Sequence, residues 1–346
     1  MIRNAHWGDI SRILATRRRQ QILRLNPPYT IIQPEAVVSD LVRAQSPLPR
    51  RRCHTLVYAE ERDILAYVQV RCRWRRYDEW TITTLASTER ESDPLWTRLV
   101  AEVIDEASEY GITRVFAKLP IDDARLALFH SLGFTTYSHE RIWGNLYLNA
   151  EAGESPVRGP LRALERRDAF DLLQLYRGVT PRVVQQAEAL TARQWLPGPR
   201  VMPGGLGAQA FVWETAGVPH EMTFAAHGVG GWIRLLTGPR GHWITTLFRP
   251  EQRNTARNAL DYVLWLARKN ALKPLYVALR TYQTEIEPVL EDRGFHLLSE
   301  QALLVKYTAV LARQAVPAFA ALRAGRLVAG DWTLSQGQAE PPLGSA

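Results

Sequence analysis

Trp80-Thr81-Ile82-Thr83-Thr84-Leu85 and Trp243-Ile244-Thr245-Thr246-Leu247 are the two stretches on which the reading of this chain turns. The string Ile-Thr-Thr-Leu occurs at 82–85 and again at 244–247, an offset of 162, each time with a tryptophan just upstream. Gly133-Phe134 returns as Gly294-Phe295 at an offset of 161, and Ile2-Arg3 with Asp9 returns as Leu161-Arg162 with Asp168 at 159. Four features in one order and at nearly one spacing mark a duplicated unit, and a repeat takes precedence over any local reading. The length of 346 residues agrees, since it is about twice that of a common domain.

Working outward from each copy gives the same series of elements. In the first, Cys53 to Tyr58 and Ile64 to Cys72 alternate like strands joined by the charged turn Glu60-Glu61-Arg62-Asp63, and Trp80 to Leu85 follows as a third. Leu95, Trp96, Leu99, Val100, Val103, Ile104 and Ala107 then recur at helical spacing, with Gly111 as a left-handed stop. A strand at Arg114 to Leu119, a short helix at Asp123 to Leu132 and a strand after Phe134 complete the unit. The second copy reads as strands at Ala210 to Glu214, Glu221 to His227, Trp232 to Thr237 and His242 to Phe248. A helix face of Ala256, Ala259, Leu260, Val263, Leu264 and Ala267 follows, then a strand at Leu275 to Leu279, a short helix at Glu285 to Arg293 and a strand at Leu303 to Thr308. Gly230-Gly231 reads as a turn and Gly204 to Gly207 as a connection. The expected organisation is a unit at 1–149, a Pro/Gly linker at 150–160, a second unit at 161–312 and a tail at 313–346.

Composition narrows the function classes. Hydrophobic residues make up 46% and charged residues 23%, which is globular rather than disordered. Two cysteines, Cys53 and Cys72, supply neither a disulfide framework nor a zinc site, and no metal is expected. The first fourteen residues carry Arg3, Asp9 and Arg12 and no apolar run, and nothing approaches the ~18 apolar residues of a membrane span, so a cytoplasmic protein is expected. The net charge of +8 gathers in arginine clusters at 17–19, 50–52 and 73–76, which permit a nucleic-acid partner without favouring one over solvated faces.

Leu128-Phe129-His130-Ser131-Leu132-Gly133-Phe134 and the weaker Val289 to Phe295 resemble the Leu-Tyr-x-x-Leu-Gly-Phe ending of the GCN5-related N-acetyltransferase (GNAT) superfamily. Together with the order of elements, they make the chain resemble two tandem GNAT folds, each an α/β (α+β) unit with a mixed, mostly antiparallel sheet flanked by helices. The resemblance implies an acyl-CoA-dependent N-acyltransferase, with acetyl-CoA or another acyl-CoA as cofactor and a small-molecule or peptide amine as acceptor. It also admits a catalytically inactive binding protein, or an aminoacyl-tRNA-dependent transferase. Family members hold the pyrophosphate on a Gln/Arg-x-x-Gly-x-Gly/Ala loop, whose backbone N–H groups and helix dipole attract the anion.

Both copies depart from that loop. The first places Glu91, Pro94 and Trp96 at its defining positions; Glu89, Arg90, Glu91 and Asp93 give a net −2, and proline has no N–H to offer. The second places Arg253, Ala256 and Asn258 there, and Arg249, Glu251, Arg253 and Arg257 give a net +2. The cofactor is therefore expected in the second copy, along Leu247, Phe248, Arg249, Arg253, Asn254, Thr255, Ala256, Arg257 and Asn258. At the family's acid position, a tyrosine on the last short helix, this chain has Phe129 and Leu290. Tyr282, just after a strand, is the replacement candidate for protonating the thiolate, and His242 and Glu221 are the candidate bases.

Overall fold

In the computed structural model each half begins with a short strand and helix before its meander. The structure describes residues 1–16, 21–25, 53–60, 63–73, 76–88, 93–146, 156, 158–198, 201–202, 206–214, 228–270 and 272–308. The first half runs β1 (Ile2–Asn4), α1 (Trp7–Thr16), β2 (Gln21–Arg24), β3 (Cys53–Glu60), β4 (Asp63–Arg73) and β5 (Arg76–Ser87). It continues with α2 (Asp93–Glu109), β6 (Arg114–Pro120), α3 (Leu126–Ser131) and β7 (Thr135–Asn145). The second half opens with β8 (Arg162–Ala163), α4 (Ala169–Val179), α5 (Arg182–Glu188) and α6 (Ala192–Trp195). Strands β9 (Val201–Met202), β10 (Leu206–Glu214), β11 (Val229–Thr237) and β12 (His242–Phe248) follow, then α7 (Arg253–Asn270), β13 (Leu275–Arg280), α8 (Glu287–Glu291) and β14 (His296–Tyr307).

Periodicity explains these elements. Leu95, Trp96, Leu99, Val100, Val103 and Ala107 of α2 are all buried, and each large side chain removed from water is worth roughly 1.5–3 kcal/mol. Gly111, at φ +71°, ends the helix, and the Ile112 N–H reaches back to the Ala107 carbonyl at 2.8 Å. The two Gly-Phe pairs behave alike: Gly133 and Gly294 have φ +80° and +72°, and Phe134 and Phe295 donate to the carbonyls of Phe129 and Leu290, each at 3.0 Å.

Two expectations change. Gly230 and Gly231 lie inside β11, not in a turn, because the Trp213 indole of β10 crosses Gly231 so closely that a Cβ there would sit 1.9 Å from the ring. Leu206 and Gly207 likewise start β10 rather than extending a connection. The strand expected at Glu221 to His227 lies outside the described residues.

The fourteen strands among the described residues form one sheet in the order β1-β3-β4-β5-β6-β14-β7-β13-β12-β11-β10-β8, with β2 beside β5 and β9 beside β10. Each half contributes one parallel pair, β5 with β6 and β12 with β13, and every other pairing is antiparallel. The strand after Phe134 does not complete its own half: β7 pairs with β13 and β14, while β14 of the second half pairs with β6 of the first. The final strands are exchanged. One face of the sheet packs its apolar side chains on α2 and, further along, on α7. The other face carries α1 at one end, α4 and α6 at the other, and α5 over the central strands. No helix among the described residues is long and apolar enough to cross a membrane.

The third repeated word is a duplicated fork. Arg3 donates through both guanidinium ends to Asp9, at 2.6 and 2.9 Å, and the His6 N–H adds a bond of 2.8 Å. Arg162 and Asp168 repeat it at 2.7 and 2.8 Å, with the Glu165 N–H at 2.8 Å. Hydrogen bonds from Arg3 depress the Asp9 carboxyl; burial opposes the same effect at Asp168, but Arg162 and the Glu165 N–H outweigh it. A depressed folded value means that the stabilisation is complete above the ordinary aspartate pKa of 3.8 and is lost as pH falls through the folded value. Asp168→Ala is expected to cost about 2 kcal/mol at neutral pH, and the gap from wild type should close below about pH 3 in urea melts. A constant gap across that range would remove the fork's role.

Candidate active site

Both parallel pairs splay apart after a few residues. In the first half the pairing is Glu79 with Arg114, Trp80 with Val115 and Thr81 with Phe116, and there it stops. In the second it runs from His242 with Leu275 to Thr245 with Ala278. A strand edge left open in this way presents backbone donors and acceptors that an extended ligand can pair with.

The two openings differ. Beyond Thr81 the edge of β5 is filled by the chain itself: β2 pairs antiparallel with Thr84 to Ser87, and the Leu25 N–H donates to the Thr83 carbonyl at 3.0 Å. In the second half no strand among the described residues pairs with Thr246 to Phe248 on the β13 side. One side chain reaches across instead: Gln283 Nε2 donates to the Thr246 carbonyl at 3.3 Å.

The helix beside the second opening is preceded by a tight turn, Pro250–Gln252. The Gln252 and Arg253 N–H groups are spent on the carbonyls of Arg249 and Pro250, so the turn consumes donors that the sequence leaves available. Asn254 and Thr255 lie in the first turn of α7, Arg253, Arg257 and Asn258 are exposed, and Leu247, Phe248 and Ala256 are buried. Arg249, Arg253 and Arg257 form no ion pair among the described residues, which leaves positive charge at the mouth of the opening.

Tyr282 follows β13 and stands next to Thr180, with Arg280 and Glu188 near it. Burial raises its pKa, so the phenol keeps its proton at neutral pH. His242 is not brought to it: that side chain is fully buried at the other end of β12, bonded to Thr237 Oγ1 at 3.1 Å. Six residues of extended strand, roughly 20 Å, separate His242 from Phe248. Glu221 lies outside the described residues.

Around Tyr282 the structure gathers charged groups from distant parts of the sequence. Glu188, the last residue of α5, accepts from Arg280 at 2.6 Å, from Tyr176 at 2.9 Å and from Tyr137 at 3.4 Å. Burial would raise its carboxyl, yet Arg280 and Arg73 outweigh that and keep it below the ordinary range. Lys118 of β6 pairs with Glu140 of β7, and burial pulls its ammonium pKa down. Arg73 is drawn between Glu79 and Glu188. Alternation puts Lys118, Glu140 and Arg280 on the sheet face turned away from α2 and α7, because Val115, Ala117, Leu119, Val277 and Leu279 fill the opposite face. Arg73, Lys118 and Arg280 keep 28%, 23% and 21% of their side chains accessible, so they line a recess rather than a sealed core. Sequence reasoning named Tyr282 as a candidate and none of these neighbours, since they share no motif and meet only through the exchanged strands.

No family model and no curated protein sequence matches the chain. Among solved structures, a tandem GNAT protein from the clavulanic acid biosynthesis pathway is similar at 11% identity and TM-score 0.49, over 83% of this chain and 98% of its own. A GCN5-related N-acetyltransferase from Sphaerobacter thermophilus is similar at 15% identity and TM-score 0.48, over 85% and 98%. A putative acetyltransferase from Pyrococcus horikoshii is similar at 10% identity and TM-score 0.49, over 90% and 91%. The fold stands on the chain's own geometry: two meanders, a single splayed parallel pair in each, a helix after each of those first strands, and a repeated Arg–Asp fork. The chain carries two copies of one α/β unit in tandem, joined through exchanged final strands.

Proposed function

We propose that the protein is an acyl-CoA-dependent N-acyltransferase whose donor binds in the second half, acetyl-CoA being the first donor to test. One observation carries this reading: the edge of β5 beyond its parallel pair is closed by β2, whereas no strand among the described residues covers the corresponding edge of β12, beside Arg249, Arg253 and Arg257, which form no ion pair among those residues. An extended pantetheine arm would pair with the backbone of Thr246 to Phe248 once Gln283 swings aside, and the arginines would meet the phosphates. When bound, an acyl-CoA supplies a thioester carbonyl that an amine attacks, forming an amide and releasing a thiol. Tyr282, protonated at neutral pH, would give its proton to the departing sulfur. Closure of the first site gives that half a supporting role, in which it contributes Arg73, Lys118 and Glu140 to the recess.

A second reading, a binding protein without turnover, draws support from Gln283 spanning the opening and from the two buried apolar residues, Phe129 and Leu290, at the family's acid position. Calorimetric titration with acetyl-CoA tests the first reading. Arg253→Glu with Arg257→Glu is expected to weaken binding about tenfold per residue, since each reversal replaces an attraction to phosphate with a repulsion. Binding that ignores both reversals, or none at millimolar CoA, would remove the proposed donor site. Binding without turnover on a broad set of amines would select the second reading.

A further inference from the structure

The recess holds more positive charge than its own carboxylates answer. Arg73, Arg76, Arg114, Lys118 and Arg280 face four carboxylates, Asp78, Glu79, Glu140 and Glu188, and Asp78 answers only Arg76 at the outer edge. The imbalance has a specific location. Arg280 gives Nη2 to Glu188 and lies against the Tyr137 hydroxyl, but its buried Nη1 has no hydrogen-bond partner among the described residues. Across the floor Gln301, opposite Glu140 in the sheet, leaves a buried Oε1 equally unmet. Gln301 faces the recess because its neighbours Ala302 and, two further on, Leu304 pack against α2 on the other side. A buried donor on a cation and a buried neutral acceptor some way from it are the complement of a small molecule with an anionic end and a donating end.

We propose that the acceptor is a polar α-amino acid whose carboxylate pairs with Arg280 Nη1 and whose side chain extends toward Gln301. This rests on the reading of the second half as the acyl-transfer site. Binding the carboxylate at Arg280 holds the α-amine one carbon away, and Tyr282 and Gln283, at the opening between β12 and β13, follow Arg280 by two and three residues. Glu188 keeps Arg280 in position and Tyr176 and Tyr137 keep Glu188 in position, so the anion-binding nitrogen is held before the ligand arrives. In the transfer itself the amine lone pair forms the C–N bond and the C–S bond breaks. The α-ammonium first gives one proton to solvent; as the amide forms, the sulfur takes its proton from Tyr282 and the second proton leaving the nitrogen returns through water to the phenoxide.

The test uses the full chain without CoA, titrated calorimetrically with each of the common L-amino acids and then with the carboxamide of every one that binds. At least one polar amino acid is expected to bind saturably, and its carboxamide about tenfold or more weakly, because the carboxylate is what Arg280 reads. Arg280→Gln should abolish binding. Arg280→Lys keeps a positive charge against Glu188, guards against a folding defect and lacks the second nitrogen, so it should bind about tenfold more weakly. Three results would overturn the proposal: no amino acid binding at about 10 mM, carboxamides binding as tightly as the acids, or Arg280→Lys binding like wild type. The donor reading fails separately: a chain that takes an amino acid but no CoA keeps the recess and loses the transferase.

Discussion

Glu79→Ala is expected to cost about 3–5 kcal/mol of folding stability, the largest effect of any single substitution considered for this chain. The Glu79 carboxylate, 0% exposed, accepts from Arg76 at 2.7 Å, Arg114 at 3.0 Å and Arg73 at 3.3 Å. Removing it leaves three crowded guanidinium groups, of which only Arg76 keeps a hydrogen-bonded carboxylate, the half-exposed Asp78 at 3.2 Å. Arg73 would still have Glu188 within electrostatic reach, and Arg76 would keep its bond to the Ala189 carbonyl, so the loss is bounded rather than total. Urea melts of wild type and variant measure it. A difference under about 1 kcal/mol would mean that the arginines find water or other partners, as exposed ion pairs do.

Separating the halves is expected to be more drastic. Residues 1–149 and 161–312, produced alone, should each fail to give a soluble folded monomer, and production together should restore a one-to-one complex. The reason is the exchanged strands. Without the second half, β6 loses β14 from its edge and β7 loses partners on both sides; without the first, β13 and β14 are stripped in the same way. Bare central edges carry rows of unpaired backbone groups and invite aggregation. Side chains tie the same seam: Arg141 reaches Glu287 at 3.0 Å and Asn145 donates to the Arg293 carbonyl at 3.1 Å. Size-exclusion chromatography and circular dichroism of the two fragments decide the matter. Fragments that fold singly and melt like the intact chain would show that each half can close its own sheet.

Much of the architecture was legible locally, for stated reasons. β12 has the limits His242 to Phe248 that its alternation and its repeated Ile-Thr-Thr-Leu suggest, and the apolar stripe of α2 is buried as its spacing requires. Gly111, Gly133 and Gly294 adopt positive φ where helices must stop. Other features failed to show because their cause is not local. Gly230-Gly231 resembles a turn in sequence, and only the Trp213 ring lying across it makes glycine a strand residue there. β2 is a short run between arginines and prolines with no alternation long enough to mark it, yet its backbone closes one of the two openings.

The sequence by itself determined the duplication, the order of elements and the charge difference between the two helix starts, since each is a property of neighbouring residues and survives any arrangement of the halves. The tertiary structure alone decided that β7 and β14 trade places and that Arg73, Lys118, Glu140, Glu188 and Arg280 converge beside Tyr282. Two final strands of like pattern, each following a Gly-Phe stop, carry no local signal of which edge they will pair with. The choice is made by the packing of the whole sheet, and the recess is formed with it.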